Sequence, residues 1–153
     1  MSYGDYTKVP FDRTIAEIQA LLRKRGAGQI FSGDDGNMFA IQFSLADRMI
    51  RFRLSLTDKR GQASEQRRKQ RARALMLVIK AKLESVDAEI ETIEEAFLAN
   101  VVMSDGLTVY ERVSGPMALE YQEGRPSAVS GLLASPPKDA ALADRGKLTG
   151  EGV

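Results

Sequence analysis

The chain has 153 residues, enough for one domain of ordinary size, and 43% of them are hydrophobic and 28% charged. It contains no cysteine and no histidine, which excludes a disulfide framework, a thiolate zinc site, a cysteine nucleophile and a Ser-His-Asp triad. The net charge is +1, but residues 58–73 hold seven bases against two acids, and residues 83–99 hold six acids and no base.

Neither a signal peptide nor a membrane span is predicted. Residues 1–10 are polar and lack the apolar stretch that export requires. The longest apolar run, residues 74–79, is far shorter than the roughly 20 residues that cross a bilayer. We therefore expect a soluble protein of the cytoplasm.

A first helix is predicted over residues 14–25. Thr14 and Glu17 have the spacing of a capping box, and Gly26 follows the last periodic residue, as a C-terminal capping glycine does. One apolar stripe recurs at helical spacing, formed by Ile15, Ile18, Leu21 and Leu22.

Three strands are predicted next, at residues 29–32, 38–45 and 49–56, with a turn at residues 34–37 between the first two. Apolar and polar residues alternate along the second and third strands. Such a period of two indicates an antiparallel sheet with one buried and one wet face. Arg51 and Arg53 fall on the wet face.

The second helix begins after Ser64, a suitable N-cap, and its two halves differ in character. Residues 65–73 are almost wholly polar, whereas residues 74–83 are dense in apolar side chains. We therefore expect the first half to project from the body and the second half to pack on the sheet.

Two further helix starts are predicted at the capping boxes of Thr92 and Thr108. Pro116 lies inside the helix that follows Thr108, so a kink or a break is expected there. The predicted fold class is α+β: a three-stranded antiparallel sheet packed by two helices in the order α-β-β-β-α, followed by a small helical appendage. The predicted organisation is a flexible arm (1–10), one domain (11–124) and a largely disordered Gly/Ala/Pro-rich tail (125–153).

The basic run opens the second helix, at the end where the helix dipole disfavours positive charge by about 0.3–1 kcal/mol per base. Guanidinium groups beside exposed helical N–H groups are suited to phosphates. This pattern predicts a nucleic-acid or other polyanion surface, whereas a solvated helix face and a protein partner are the alternatives. The candidate residues are Arg67, Arg68, Lys69, Arg71 and Arg73, supported by Arg51 and Arg53.

No catalytic, metal or cofactor site is predicted. The acids of residues 84–95 lie in one run, and metal sites need carboxylates that converge from separate elements. A solvated face or a partner surface is therefore favoured over a nuclease centre. Residues 34–37 lack the twelve-residue spacing of a calcium loop and are interpreted as a hairpin turn.

Two resemblances add to this interpretation. The helix, three strands and helix, with bases at the start of the second helix, are similar in layout to double-stranded-RNA-binding domains, although the Ser-Lys-Lys-x-Ala-Lys pattern is absent. Residues 73–84, 94–99 and 105–109 resemble a family of small proteins from bacterial phages and prophages. That resemblance implies a mobile-element origin, a bacterial host cell and a role in phage DNA metabolism or host takeover, and it supplies no catalytic residues.

The leading functional hypothesis is a non-catalytic phage-type accessory protein that binds nucleic acid through the basic helix start. The alternative is a protein-interaction module, which either inhibits or redirects a host protein or self-assembles through its acidic and basic poles.

Overall fold

The computed structural model describes residues 8–126 and confirms the α+β fold. The predicted arm and tail lie almost wholly outside the described residues. The elements in chain order are α1 (Phe11–Lys24), β1 (Gly28–Asp34), β2 (Met38–Leu45), β3 (Arg48–Ser55), α2 (Glu65–Asp87), α3 (Ile93–Phe97), a 3₁₀ turn (Leu98–Asn100) and α4 (Val109–Glu123).

Helix α1 begins three residues earlier than predicted, and Thr14 is not its cap. Pro10 occupies the N-cap position and Phe11 is buried, with its ring edge-on to Phe39 at 5.5 Å between centroids. Because Phe11 belongs to the core, the helix must extend far enough to deliver it, and this places Thr14 inside the helix, fully buried. The predicted end is confirmed, since Gly26 has a φ of +88°.

The sheet has the order β1-β2-β3 and is antiparallel throughout. The predicted alternation is confirmed: the buried face of β2 and β3 carries Phe39, Ile41, Phe43, Leu45, Ile50, Phe52 and Leu54. Ala46 and Asp47 join these two strands with φ values of 49° and 60°, the left-handed pair that a tight two-residue hairpin turn requires.

The turn between β1 and β2 is also confirmed. The Asp34 carboxylate accepts from the N–H of Gly36, and the Asp35 carboxylate accepts from the N–H groups of Asn37 and Met38. These backbone donors hold the pKa of Asp35 below its usual range. Both carboxylates therefore serve the turn itself.

Helix α2 begins where predicted, with the Ser64 hydroxyl accepting from the Arg67 N–H at 3.1 Å. It packs on the buried face of the sheet beside α1, through Ala72, Leu75, Met76, Ile79 and Leu83. The helix continues past the predicted apolar half to Asp87.

Helix α3 completes the core through Phe97. The capping box at Thr92 is confirmed, with Thr92 and Glu95 each accepting from the other's backbone N–H at 3.1 Å. The Phe97 ring lies edge-on to Phe43 and Phe52, with both centroid distances at 6.2 Å. Val101 then forms an antiparallel bridge with Ile50 beside β3.

Helix α4 crosses the boundary between two units of the chain, Met1–Arg112 and Val113–Val153. Thr108 caps its start by accepting from the Glu111 N–H. The helix is continuous through Pro116, so of the predicted kink or break, the break does not occur. The preceding Gly115 lacks the Cβ that normally clashes with a following proline ring. In the second unit, α4 has no buried residue among those described, and its Met117, Leu119 and Tyr121 are exposed.

Candidate nucleic-acid interface

The predicted basic residues fall into three groups, distinguished by what their guanidinium nitrogens contact. Arg67 and Arg71 bond to backbone carbonyls, Arg68 and Arg73 pair with carboxylates, and Arg51 and Arg53 lie on the outer face of the sheet. Lys69, the seventh predicted residue, lies on α2 between Arg68 and Arg71 and is partly exposed.

Arg67 and Arg71 lie one turn apart on α2 and point the same way. Arg71 Nε donates to the carbonyl of Ser55 at 2.9 Å, and Arg67 Nε donates to the carbonyl of Thr57 at 3.2 Å. Within residues 8–126, no carboxylate lies within ion-pair distance of either guanidinium. Each Nε is thus anchored, and the terminal nitrogens are left without an acidic partner.

The surroundings of Arg71 are unfavourable to its charge. Partial burial lowers the pKa of Arg71 from its usual value, and the nearby positive charge of Arg67 lowers this pKa further. Two like charges at this helical spacing also repel by about 0.2–0.5 kcal/mol. An anion bound at these two side chains would relieve both effects.

Arg68 and Arg73 are structural. Arg68 forms a two-pronged ion pair with Asp34 at 3.1 and 3.3 Å, and its guanidinium lies 4.3 Å from the centroid of the Phe11 ring. Arg73 pairs with Glu17 of α1 at 3.1 Å. Their charges are already neutralised by partners in α1 and β1.

These contacts correct the expectation that the first half of α2 projects from the body. Arg68 and Arg73 join it to α1 and β1, Arg67 and Arg71 join it to the end of β3, and Ala72 between them is fully buried. The first half of α2 is polar because its long side chains bond to carbonyls near the end of β3 and to carboxylates of α1 and β1. Polarity along a helix therefore did not mean distance from the core.

Arg51 and Arg53 lie on the outer face of β3, as predicted. Arg51 is 13% exposed and donates to the carbonyl of Gly106 at 2.6 Å, with the Glu111 carboxylate 3.6 Å away. Arg53 is 56% exposed, and its longer contact with Glu111 is 3.9 Å. Arg51 is therefore fixed in place, whereas Arg53 is largely open to solvent.

Arg53 and Arg71 line one shallow groove between β3 and α2. The groove encloses about 180 Å³, and its apolar wall includes Leu54, Ala74 and Val78. Arg67 lies one helical turn from Arg71, toward the start of α2. We call this groove, together with the neighbouring Arg67, the arginine groove; its arginines are Arg53, Arg67 and Arg71.

Most acids of residues 84–95 have hydrogen-bond or ion-pair partners among the described residues. Asp87 pairs with Arg25 and Glu94 pairs with Arg48 at 3.3 Å, while Glu91 accepts from the Ser85 hydroxyl. Across residues 8–126, no group of three or more acidic side chains is placed to hold a metal ion.

Sequence reasoning missed Phe31. The predicted first strand was too short to assign its faces, and a bulge between Gly28 and Phe31 shifts the register of β1. Phe31 lies opposite Gln42 on the outer face and is 69% exposed, although the phenylalanines of β2 and β3 are buried. An aromatic residue in a strand otherwise rich in small and polar residues was the available signal.

No protein-family model, curated protein or solved structure matches the chain. In the described part of the chain, no helix has the length and apolar character needed to cross a membrane.

Proposed function

We propose that this protein binds the phosphate backbone of a nucleic acid through the arginine groove. The observation that supports this most strongly is the pair Arg67 and Arg71: two guanidinium groups of like charge, each anchored through Nε to a backbone carbonyl, with no carboxylate partner among the described residues. Arg53 also lines the groove, and its largely exposed guanidinium lies at the outer face of β3, 3.9 Å from the Glu111 carboxylate.

The chemistry of the site favours phosphate over a neutral ligand. Guanidinium groups bind phosphate oxygens with charge-assisted hydrogen bonds that are roughly twice as strong as neutral ones. A bound phosphate would also offset the repulsion between Arg67 and Arg71, and the cost of placing bases near the start of α2. On the resemblance of residues 73–84, 94–99 and 105–109 to phage and prophage proteins, we further propose a non-catalytic accessory protein of phage type that acts in the cytoplasm of a bacterial host.

The proposal is tested by the double variant Arg67→Gln/Arg71→Gln, which removes two charges from the arginine groove. We expect the dissociation constants for short DNA and RNA oligonucleotides, measured by fluorescence anisotropy at low salt, to rise about 10- to 100-fold. A melting curve establishes that the variant folds.

The matched control is Lys24→Gln/Lys80→Gln, which removes two exposed charges at other places on α1 and α2. We expect it to weaken binding only slightly. An equal loss in both double variants would mean that overall charge, and not the arginine groove, determines affinity. Undetectable binding of the wild-type chain to DNA and RNA at low salt would refute the proposal.

A second candidate, the protein-interaction module, is favoured by one observation in the second unit. Met117, Leu119 and Tyr121 expose apolar surface on a stretch of α4 whose described residues are not buried. Such surface is typical of a site that contacts another protein or a second copy. Light scattering of the purified chain would test contact with a second copy. Capture of a host protein after nuclease treatment would test contact with another protein. If capture survives Tyr121→Ser, α4 is not the contact surface.

A further inference from the structure

Phe31 presents its ring on the outer face of the sheet. It lies opposite Gln42 in the register of β1 and β2, and Gln42 lies opposite Arg51 in the register of β2 and β3. The three side chains therefore form one row across the face, aromatic at one end, amide in the middle and guanidinium at the other. Ser32, the next residue of β1, faces the other way and accepts a hydrogen bond from Gln19 of α1, which confirms the assignment of faces.

The next pair of residues on this face, one from β1 and one from β2, leaves a hollow beside the Phe31 ring. Gly33 lies opposite Ala40, so two small residues form a floor where larger side chains would fill the space. The hollow is a shallow depression, open to solvent, of about 300 Å³, and it is lined by Phe31, Ser32, Gly33, Ala40, Gln42 and Arg51. A flat group can lie on this floor with one face against the Phe31 ring.

The polar walls of the hollow are suited to the edge of such a group. The Gln42 amide offers both a donor and an acceptor, and its side chain makes no hydrogen bond within residues 8–126. Arg51 is held by the Gly106 carbonyl and by Glu111, so its position does not depend on the ligand. An aromatic wall with a neighbouring amide is a usual way of holding a nucleobase.

The hollow and the arginine groove both border β3. Arg53 lies two residues beyond Arg51 on the same face, and it also lines the arginine groove with Arg71. Neighbouring strands are about 4.8 Å apart, so roughly 10 Å of sheet separates the backbones at Phe31 and Arg51. One flexible strand with its phosphates at the groove can therefore place a base at Phe31, whereas the paired bases of a duplex stay inside its stack.

We propose that the ligand is single-stranded nucleic acid and that one of its bases stacks on Phe31. This inference rests on the proposed function, because the arginine groove supplies the phosphate contacts. The stack adds preference for single strands over duplex, and it tolerates all four bases because each has a π-face.

The chain contains no tryptophan, so Phe31→Trp introduces a single fluorescent reporter at the stacking position. We expect Phe31→Trp to bind a single-stranded oligonucleotide as tightly as the wild type, with quenching of its fluorescence on binding. Duplex of the same length should quench it little. Quenching that is equal for duplex and single strand would overturn the proposal.

Phe31→Ala should weaken single-strand binding by about tenfold or more and leave duplex binding within about twofold. Its matched control is Met38→Ala, which truncates another exposed side chain of the same face, and which should leave both affinities unchanged. Since Phe31 is exposed, its truncation should not change the melting temperature.

The outcomes separate the two proposals. If Phe31→Ala binds single strands like the wild type while Arg67→Gln/Arg71→Gln does not bind, the stacking site is wrong and the phosphate site stands. If Phe31→Ala loses affinity for single strands and duplex equally, the stacking site is wrong as well. If the wild type binds no single-stranded oligonucleotide at low salt, both proposals fail for this ligand.

Discussion

At the scale of single residues, an arginine in this protein is defined by the partner of its guanidinium group. Arg68 has a carboxylate at 3.1 Å and an aromatic ring at 4.3 Å, whereas Arg71, one turn away, donates from its Nε to the Ser55 carbonyl and has no carboxylate partner within residues 8–126. Neighbouring arginines of the same basic run therefore have different roles. This difference is directly testable, because the two classes should respond in opposite ways to substitution.

Arg68→Gln should destabilise the fold and spare nucleic-acid binding. The variant loses the ion pair with Asp34 and the contact with Phe11, which together should lower the free energy of unfolding by about 1–2 kcal/mol. Urea denaturation measures this loss. Oligonucleotide affinity should stay within about twofold of the wild type at a temperature where the variant is folded. A large loss of affinity without a loss of stability would place Arg68 in the interface.

Asp34 makes the stability of the ion pair dependent on pH. The hydrogen bond from Arg68, followed by that from the Gly36 N–H, holds the pKa of Asp34 below its usual value. The stabilisation is then fully present above the pKa of the unfolded chain and is lost as the pH falls through the lower, folded value.

We therefore expect Asp34→Asn to be less stable than the wild type at neutral pH, with a difference that shrinks below about pH 4. Urea denaturation at a series of pH values measures it. Glu84→Gln, which removes an exposed carboxylate, should show no such convergence. A wild-type advantage that persists unchanged to pH 2 would mean that the charge of Asp34 does not contribute.

These residue contacts could not be predicted from the sequence. The bond from Arg71 to Ser55 spans 16 residues and that from Arg73 to Glu17 spans 56, and neither leaves a periodic signal. The composition of the basic run correctly predicted positive charge at the start of a helix. It could not show which charges the fold neutralises, since that depends on which strand ends and helices lie beside them.

At the scale of elements, α3 shows how a short helix is held by its cap. Five residues are too few to form a stable helix alone, so the Thr92–Glu95 capping box and the burial of Phe97 must act together. Because Phe97 contacts both Phe43 and Phe52, fraying of α3 would loosen the aromatic part of the core.

Thr92→Ala should lower the free energy of unfolding by about 1 kcal/mol, the usual cost of a lost N-cap. Thr92→Ser keeps the hydroxyl and should restore most of the loss. Denaturation by urea, followed by circular dichroism, measures both variants. Equal stability of the alanine and serine variants would show that the hydroxyl does not hold α3.

The elements were predicted best where a simple period dominates. Alternation along β2 and β3 gave their faces correctly, because one side of the sheet is buried and the other is not. The start of α1 was wrong because a core aromatic, Phe11, overrides the capping signal at Thr14. The face of Phe31 was missed because the bulge in β1 interrupts the period.

At the scale of the whole molecule, a net charge of +1 conceals an uneven distribution that only the structure resolves. Two acids of residues 84–95, Asp87 and Glu94, and two arginines of α2, Arg68 and Arg73, form ion pairs with other elements. The arginine groove keeps charges with no strong acidic partner among the described residues. The two poles seen in the sequence therefore carry less unpaired charge on the folded surface than the sequence suggests.

The salt dependence of single-strand binding tests the central claim most directly. Each phosphate neutralised on a single strand contributes about −0.7 to the slope of log affinity against log salt concentration. If Arg67 and Arg71 each contact a phosphate, the slope for Arg67→Gln/Arg71→Gln should be shallower than the wild-type slope by about 1 to 1.5, and the slope for Lys24→Gln/Lys80→Gln should be nearly unchanged. Equal slopes for the wild type and Arg67→Gln/Arg71→Gln would contradict phosphate binding by the arginine groove.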